Sequence, residues 1–342
     1  MARVRCIMMQ KDEGQLLDSW LKYYGYLFGF ECLEVLDNGS RDPLTCFILA
    51  QFEAAGVRVH RQHVGNAAFE QKGAIVHGVI NEWDRTLEYD FALPCDCDEF
   101  LALFTRGGLE CSRDAIHAGL DALIECDQVL GIRTSLFNVP SQPDWFHPEM
   151  FPKGFLPSHT ILDLDSGYHE PRSRLAAGMR DTDFTYLHFH NKPFETVQDH
   201  TRRKLHRRVD VDDRAALARY AGAGAHMTKD LLMSRLEYVH QFDRRITVRF
   251  EQFTDQIRAL GSREGLLTGD ATLPRRHQSR PGGPATIRLP PDDSRPARLI
   301  AFDGDAYLAG NPDVACTNRS GLPHYLFYGF YEGRALAGTE LQ

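Results

Sequence analysis

The chain has 342 residues, of which 43% are hydrophobic and 25% are charged, values ordinary for a folded protein with one large core or a core and a small appendage. Its formal net charge of −8 argues against broad nucleic-acid binding, which needs a basic surface. No signal-peptide pattern is present, and no apolar run approaches the roughly 20 residues needed to cross a bilayer. We therefore expect a soluble, cytoplasmic protein, with peripheral contact at the inner face of a membrane left open.

The first hundred residues alternate short apolar runs with amphipathic segments, which is typical of βαβ units around a largely parallel sheet. The pattern predicts four strands and three intervening helices, in chain order at 4–9, 13–24, 32–36, 43–55, 57–60, 67–83 and 91–95. Right-handed crossovers bring the carboxyl ends of such strands to one edge of the sheet. Ligands of open α/β sheets bind along that edge.

The middle of the chain is less regular. Apolar runs predict strands at 128–139, 160–164 and 184–190, and a loop rich in proline and aromatic residues at 140–157. Residues 194–260 are predicted to be mostly helical.

Composition divides the chain into three predicted regions. An α/β domain covers residues 1–260, and a linker or mobile loop rich in proline, arginine and glycine covers 261–297. A small helical module covers 298–342, where Asn311-Pro312 breaks one helix and the aromatic residues of 325–331 supply a second. The module is small for independent stability, so we expect it to dock on the main domain or on a partner.

Three carboxylates follow the fourth predicted strand directly: Asp96, Asp98 and Glu99. Clustered acidic groups are costly unless a cation or a basic partner neutralises them. A hard divalent ion such as Mn²⁺ or Mg²⁺ takes one or two carboxylates together with substrate phosphate oxygens, and it stabilises the charge that grows on a leaving nucleotide. The alternative is a solvated turn, but the position at the binding edge of the sheet favours a metal site.

Two further loops are expected at the same edge. Asp12 and Glu13 follow the first strand, and Asp37 and Asn38 follow the second. An acidic side chain in such a loop can accept a hydrogen bond from a ribose hydroxyl or a base N–H. Each loop has a simpler alternative, because Asp12 can cap a helix and Asp37-Asn38 can form an ordinary turn. No GxGxxG pattern follows the first strand, which weakens a nicotinamide or flavin function.

These segments together resemble the bacterial glycosyltransferases of the family-two-like group. The resemblance is carried in chain order by residues 6–13, residues 17–24, the turn Leu36-Asp37-Asn38-Gly39-Ser40 and the DxD segment Pro94-Cys95-Asp96-Cys97-Asp98-Glu99-Phe100-Leu101. It covers about residues 4–205. It implies a GT-A-like α/β fold, with a single Rossmann-type mixed sheet flanked by helices. The C-terminal segment resembles a short helical module at the ends of some of these enzymes.

The resemblance also implies how the nucleoside is held. Asp12 and Asp37 would lie near a uridine-type nucleoside, and Gln71 and Lys72 would face the nucleotide-sugar donor.

A second set of residues is implied for the metal and the diphosphate. Asp96 and Asp98 would approach the ribose and the metal, and the run from His188 to Lys192 resembles a motif that supplies a metal ligand and a phosphate contact. His188 would then be the metal or diphosphate ligand, with His190 in reserve, and Lys192 would contact phosphate. From the residues alone, a histidine at a strand end is more often a satisfied rim residue than a ligand.

The resemblance implies inversion at the anomeric carbon, which needs a base for the acceptor hydroxyl. Carboxylates of the central loops are the candidates, namely Asp144, Glu149, Asp163, Asp165 and Glu170. Asp144 is attractive because sugars stack on aromatic faces and Trp145 is adjacent. A surface carboxylate beside an aromatic residue is also common without any catalytic role.

The sequence thus predicts a metal-dependent glycosyltransferase of the hexosyltransferase type. It would move a sugar from a nucleotide-diphosphate donor to a carbohydrate or lipid-linked acceptor. A sugar-phosphate nucleotidyltransferase is one alternative, but residues 9–14 lack the glycine-rich basic loop that cradles a triphosphate. A non-catalytic carbohydrate- or partner-binding protein is another. The basic run 202–208 suits a diphosphate, an anionic acceptor or a lipid surface, or is the solvated face of a helix.

Overall fold

A computed structural model describes residues 1–262, 284–291, 295–317 and 319–341. Most of the predicted linker lies outside the described residues. The predicted α/β class, with a large mixed sheet flanked by helices and a helical C-terminal region, is confirmed.

The first hundred residues form the predicted alternation of strands and helices. The elements are β1 (Val4–Gln10), α1 (Gln15–Phe28), β2 (Leu33–Asp37), α2 (Pro43–Ala54), β3 (Arg58–His60), α3 (Asn66–Glu70), α4 (Lys72–Thr86) and β4 (Phe91–Pro94). Strand β1 is parallel to β2 and β4, and β2 is parallel to β3. Their carboxyl ends therefore share one edge, as predicted. The helix predicted over 67–83 is two helices that meet at Gln71.

Local sequence explains these helices. The apolar face of α1, which includes Leu17, Trp20 and Tyr24, is fully buried, as helical spacing requires. Helix α2 begins where the Asp42 side chain accepts a hydrogen bond of 2.8 Å from the Thr45 N–H, with Pro43 in the first turn. Proline is suited to that position because its missing N–H has no helical partner there.

The middle of the chain is richer in strands than predicted. Its elements are β5 (Glu99–Thr105), β6 (Gly108–Glu110), α5 (Arg113–Asp121), β7 (Val129–Ile132), β8 (Thr134–Val139), β9 (Gln142–Glu149), β10 (Lys153–Pro157), β11 (Ile161–Asp163), β12 (Arg172–Ser173), β13 (Met179–Asp181) and β14 (Phe184–His188). The prediction of a loop over 140–157 was wrong, since β9 and β10 occupy it. Buried aromatic residues such as Trp145, Phe146 and Phe155 favour strands and outweigh the prolines.

The last part of the chain is helical and then mixed. Its elements are α6 (Phe194–Leu205), α7 (Arg214–Arg219), α8 (Thr228–Leu232), α9 (Arg235–Asp243), β15 (Thr247–Arg249), α10 (Glu251–Ala259), β16 (Thr286–Leu289), β17 (Arg298–Phe302), α11 (Gly304–Gly310), α12 (Pro312–Ala315), α13 (Gly321–His324) and β18 (Gly338–Leu341). Strand β16 lies inside the predicted linker and pairs with β15 and β17. The division into three domains stays a prediction.

The long strands divide between two sheets, which apolar patterning did not predict. The first sheet has the order β13-β7-β10-β4-β1-β2-β3, and the second has the order β18-β17-β16-β15-β9-β8-β14-β5-β6. The chain passes from the first sheet to the second between β4 and β5, between β7 and β8 and between β13 and β14, and it returns between β6 and β7 and between β9 and β10. The segment predicted as one strand over 128–139 is also split, because β7 and β8 lie in different sheets and the exposed Arg133 separates them. No helix among the described residues is long and apolar enough to cross a membrane.

A buried carboxylate ties the first three strands to α4. Glu34 on β2 is fully buried and lies 3.1 Å from the Arg5 guanidinium, 2.7 Å from His60 and 2.6 Å from the Trp83 indole nitrogen. Burial raises the pKa of Glu34, but the hydrogen bonds with His60 and Trp83 and the charge of Arg5 outweigh it, so the net pKa lies below its usual range. The ionised form is therefore favoured in the folded protein.

Replacing Glu34 tests this arrangement. Glu34→Ala should lower the free energy of unfolding by about 3–5 kcal/mol near pH 7, because Arg5, whose side chain is only 14% exposed, loses its partner. A carboxyl with a lowered pKa contributes stability that is present above its unfolded pKa of about 4.3 and is lost as the pH falls through the folded pKa. The deficit should therefore shrink in acid, as measured by urea unfolding at several pH values.

The matched control is Glu53→Ala, which removes an exposed carboxylate paired with Arg61 at 2.8 Å. Exposed pairs contribute about 0–1 kcal/mol, so this variant should unfold close to the parent protein. Equal losses for the two variants would contradict the role given to Glu34.

Candidate active site

The acidic segment lies at the point where the chain crosses between the two sheets. After β4, the Cys95 N–H donates to the Ile7 carbonyl at 3.1 Å, so the turn is still attached to β1. The Asp96 N–H donates to Glu99 Oε2 at 2.9 Å, and the Glu99 N–H donates to the Asp96 carbonyl at 3.2 Å. These bonds form a closed turn in which Asp96 and Asp98 are partly exposed, whereas Cys97 and Glu99 point into the core.

Asp96 is held by two buried lysines. Lys72 Nζ lies 2.6 Å from Asp96 Oδ1, and Lys153 Nζ lies 2.7 Å from Asp96 Oδ2 and 3.1 Å from Glu99 Oε1. We call these four residues the lysine–carboxylate network. Burial raises the pKa of Asp96, but the charges of Lys153 and Lys72 lower it by more, and the net pKa is lowered. Burial lowers the pKa of Lys153, yet Glu99 and Asp96 raise it by more, so this lysine is firmly charged.

The loop after β11 brings the two lysines together. The fully buried Tyr168 ring packs beside both, with its centroid 4.5 Å from Lys72 Nζ and 5.5 Å from Lys153 Nζ, so both cations contact an aromatic face. The loop also packs tightly on the start of α4, because a Cβ atom at Gly73 would lie 2.3 Å from the Leu164 carbonyl oxygen. Glycine at this position is what allows Lys72 to reach Asp96.

Asp98 faces a second set of charged groups. His188 Nε2 lies 3.5 Å from Asp98 Oδ1, and Lys192 Nζ lies 3.9 Å from Asp98 Oδ2. Burial raises the pKa of Asp98, but the hydrogen bond and charge of His188 and the charge of Lys192 outweigh it and hold the pKa well below its usual range. Desolvation raises the pKa of Glu13. The positive charge of Lys192 lowers this pKa, and the negative charge of Asp98 raises it further. Asp98, His188 and Lys192 therefore form one charged cluster, and the exposed Glu13 lies within electrostatic reach of it.

The histidines lie at the end of β14. His188 pairs with Glu99 in the sheet, and the next N–H, of Phe189, donates to the Asp98 carbonyl at 2.8 Å. The His188 ring packs 4.7 Å from the Phe137 ring centroid, and its Nδ1 is buried without a hydrogen-bond partner. The exposed His190 ring lies 4.9 Å from the same Phe137 and 5.3 Å from His188. Sheet register therefore fixes His188, while His190 lies at the rim.

Two asparagines fix the segment between His188 and Lys192. The Asn191 N–H donates to the Asn138 side-chain oxygen at 2.9 Å, and the Asn138 amide donates to the Asn191 carbonyl at 2.8 Å. The Asn191 amide in turn donates to the Asn138 carbonyl at 2.8 Å. This reciprocal pair closes the end of β8 onto the segment that carries Lys192.

The two loops predicted to contact a nucleoside are engaged mainly with each other. Asp12 Oδ1 accepts hydrogen bonds from the Arg41 and Asp42 N–H groups at 2.6 and 2.8 Å. Asp12 also has a positive φ of 55°, which is uncommon outside glycine. The cap of α1 is Gly14, without a side-chain hydrogen bond, so the alternative that Asp12 caps this helix is wrong.

The second loop is likewise internally bonded. Asp37 Oδ1 accepts from the Gln10 amide at 2.9 Å and from the Ser40 hydroxyl at 2.6 Å. The Asn38 amide donates to the carbonyls of His63 and Gly65 at 2.8 and 3.0 Å. Asp37 and Asn38 are buried. The structure thus places both loops at the predicted edge, while Gln71 lies exposed where α3 meets α4.

Of the five candidates for a base, Asp144 and Glu149 are paired with arginines. Asp144 on β9 lies 3.8 Å from the Arg249 guanidinium, and Glu149 hydrogen bonds to Arg245. The hydrogen bond of His147 to Glu149 is the main cause that lowers the pKa of this carboxyl. Trp145 is buried and cannot present its face to a sugar. Glu170 is exposed, and its side chain has no ion pair within the described part of the chain.

The other two candidate carboxylates, Asp163 and Asp165, form contacts within their own part of the chain. Asp163 forms an ion pair with Arg172 at 2.6 Å. Asp165 accepts hydrogen bonds from the N–H groups of Gly167 and Glu170 at 2.9 and 2.8 Å. Neither is placed as a base for an acceptor.

The donor set fits a divalent cation at Asp98 and not at Asp96. Both oxygens of Asp96 already lie within 2.7 Å of an ammonium group, whereas Asp98 and His188 offer a carboxylate and an imidazole side by side. Among the described residues no three His, Cys, Asp or Glu side chains are grouped to hold a metal ion. An ion at Asp98 would therefore need substrate phosphate oxygens and water, which Mg²⁺ and Mn²⁺ accept.

The sequence analysis missed Lys153. This lysine lies only 2% exposed at the start of β10, within a stretch interpreted as a loop. A signal was present, because Phe151 to Pro157 is apolar apart from this one charge, and a buried lysine needs an anionic partner. Its partner could not be identified from spacing, since Asp96 lies 57 residues away.

Comparisons with known proteins give only a distant structural likeness. No family model matches the chain, and no curated protein matches it. A crystal structure of S. aureus TarS 1–349 is 10% identical with a TM-score of 0.32, and the match covers 86% of this chain and 98% of that chain. The complex of TarS 1–349 with UDP-GlcNAc is 9% identical with a TM-score of 0.35, over the same shares of each chain. At these values the likeness does not assign an activity.

Loss of the asparagine pair should loosen the segment that carries Lys192. Asn138→Ala leaves the N–H and carbonyl of Asn191 without partners in a partly buried setting, so unfolding should become easier by about 1–3 kcal/mol. Asn66→Ala, at the exposed start of α3, serves as the control and should change stability by less than about 0.5 kcal/mol. Chemical denaturation of both variants measures the difference, and an unaffected Asn138→Ala protein would contradict the assigned role.

Proposed function

We propose that the protein is a glycosyltransferase of the GT-A type, which moves a sugar from a nucleotide-diphosphate donor to a carbohydrate or lipid-linked acceptor. The observation that supports it best is the charged cluster of Asp98, His188 and Lys192, with Glu13 within electrostatic reach. Glu13 follows β1 and Asp98 follows β4, and these strands are parallel neighbours, so the cluster lies at the edge where open α/β sheets bind ligands. The motif resemblance then favours a uridine-type nucleotide as donor.

Each charged group has a place in such a reaction. Lys192 extends an ammonium group beside Asp98 and suits a donor phosphate. Asp98 and His188 would hold Mn²⁺ or Mg²⁺, which supplies positive charge against the leaving nucleotide when it is bound. Asp12 and Asp37 preorganise the two loops proposed to surround the nucleoside, and the second oxygen of Asp12 remains available for a ligand hydrogen bond.

We assign Glu170 as the base, because the other candidates already have partners within the protein. Asp144 and Glu149 are each paired with an arginine, and the hydrogen bond of His147 with Glu149 lowers the pKa of Glu149 and weakens this carboxylate as a proton acceptor. Glu170 lies two residues after Tyr168, on the loop whose tyrosine packs against Lys72. An exposed carboxylate in this place can accept the proton of an acceptor hydroxyl as the sugar transfers with inversion.

The acceptor is proposed to carry negative charge or a lipid. The end of α6 and the turn after it present the exposed side chains of Arg203, Lys204 and Arg207, which suit an anionic carbohydrate, a lipid diphosphate or the anionic inner face of a membrane.

Removal of Asp98 tests the donor site. In the wild-type protein, UDP with Mn²⁺ should raise Tm more than UDP alone, because a ligand stabilises the state that it binds. Asp98→Ala should abolish this metal-dependent increment and the Mn²⁺-dependent hydrolysis of UDP-sugars, while circular dichroism shows an intact fold. Asp199→Ala, an exposed position on α6, is the control and should retain both. A screen in which no nucleotide raises Tm would favour the non-catalytic binding protein instead.

The proposed base has its own test. Glu170→Gln keeps the size and hydrogen-bonding capacity of the side chain but cannot accept a proton, so kcat for transfer should fall by about 10²–10⁴-fold with little change in donor KM. Glu149→Gln should change kcat far less. If Glu149→Gln is the more damaging variant, the base assignment moves to Glu149.

A further inference from the structure

We infer that His147 is a positioning residue for the proposed donor site: its neutral ring accepts a hydrogen bond from the Asn191 amide and thereby holds the segment that carries Lys192. The part that concerns the donor rests on the proposed function, whereas the part that concerns the hydrogen bond does not.

His147 lies inside the protein, between the second sheet and α9. It is on β9 and only 3% exposed, and its ring centroid lies 5.7 Å from that of Phe137 on β8 and 5.9 Å from that of Phe242 on α9. A polar ring at this depth needs partners for its nitrogens. Nε2 lies 3.1 Å from the Asn191 amide nitrogen, and Nδ1 lies 3.2 Å from Glu149 Oε1.

The orientation of the Asn191 amide determines which nitrogen of His147 carries the proton. A backbone carbonyl can only accept, so the group that lies 2.8 Å from the Asn138 carbonyl is the NH₂ of the Asn191 side chain. The same NH₂ group faces His147 Nε2, which is therefore the unprotonated acceptor. The ring proton is then on Nδ1, directed at the Glu149 carboxylate.

The groups around His147 favour this neutral form. The Arg245 guanidinium lies 3.2 Å from Nδ1 and also pairs with Glu149, so a charged ring would lie directly beside a cation. A proton on Nε2 would in addition point at the Asn191 NH₂ group, where two donors would meet. Burial lowers the pKa of His147, and the hydrogen bond with Glu149 opposes this but does not outweigh it.

The bond to His147 is one of several that fix the chain up to Lys192. The Asn191 backbone is bonded to Asn138, and His147 takes the remaining hydrogen of the Asn191 amide. The Lys192 carbonyl accepts from the Tyr238 hydroxyl at 2.5 Å. These contacts come from β8, β9 and α9. The Lys192 ammonium therefore extends from a fixed backbone into the proposed donor site, although its side chain is 39% exposed.

Nuclear magnetic resonance tests the proton assignment without any ligand. In the protein labelled with nitrogen-15 histidine, long-range nitrogen–proton spectra distinguish the two neutral forms of each ring, and the His147 signals are those absent from His147→Gln. We expect a protonated Nδ1 and an unprotonated Nε2 at neutral pH. A proton on Nε2, or a charged ring at that pH, would overturn the inference.

Binding of UDP tests whether His147 acts through Lys192. By titration calorimetry with Mn²⁺ present, His147→Leu should bind UDP about 5–10-fold more weakly, the effect of about one hydrogen bond. His147→Gln can place an amide oxygen where Nε2 lies, so its affinity should stay within about twofold of wild type. In the Lys192→Met background, His147→Leu should change affinity by less than about twofold, because the group that it positions is absent. Equal losses in both backgrounds, or a loss in His147→Gln as large as that in His147→Leu, would overturn the positioning role.

The matched control is His117→Leu. His117 on α5 is also buried, and its Nε2 hydrogen bonds to the carbonyl of Leu27 at 2.9 Å. Leu27 lies in the last turn of α1, which leads to the amino end of β2, away from the binding edge. This variant should be destabilised but should keep the UDP affinity of wild type. A loss of affinity equal to that of His147→Leu would be a general effect of removing a buried histidine and would overturn the positioning role.

The two failures are distinguishable. If the wild-type protein binds no UDP at millimolar concentration with Mn²⁺ present, the donor site of the proposed function is wrong and the part of this inference that concerns Lys192 fails with it. The nuclear magnetic resonance spectra still decide whether His147 accepts from Asn191, because they need no ligand and use the folded wild-type protein.

Discussion

Much of the candidate site depends on how the chain compensates buried charge where it crosses from one sheet to the other. Glu99 begins β5 fully buried, at the point where the turn after β4 enters the second sheet. An isolated carboxylate there would be unfavourable. Lys153, at the start of β10, neutralises it at 3.1 Å and also contacts Asp96 at 2.7 Å. Since β10 belongs to the first sheet and β5 to the second, the ion pair between Lys153 and Glu99 links the two sheets.

The rest of the site follows from sheet register. His188 is placed opposite Glu99 by the pairing of β14 with β5. Its ring therefore lies beside Asp98, the residue before Glu99. Asn138 and Asn191 then direct the chain toward Lys192. A site built on paired strands is more rigid than one built on loops, and rigidity in the first contacts is what positions a substrate for reaction.

Local sequence was enough to predict the elements around β1 to β4, because each strand is a continuous apolar run and each helix has an apolar face or a clear start such as Asp42-Pro43. The resemblance to a known family, and not local sequence, brought Asp98, His188 and Lys192 into one hypothesis. What it could not predict depends on distant parts of the chain. The split at Arg133 separates two strands that pair with different sheets. A partner that neutralises Lys153 is Asp96, which lies 57 residues away in the sequence.

The acidic residues of the predicted binding edge differ in whether their carboxylate oxygens already have close partners within the protein. Asp37 and Asp96 have hydrogen-bond or ion-pair partners within the protein for both oxygens, so their first contribution is to shape the loops. Asp98 is different, because its partners His188 and Lys192 lie at 3.5 and 3.9 Å, beyond the usual length of a strong charge-assisted hydrogen bond. The looser spacing leaves room for a ligand between these groups. In an acidic motif at a strand end, the residue with long contacts is therefore the better candidate for chemistry, and the residue with short contacts is the better candidate for structure.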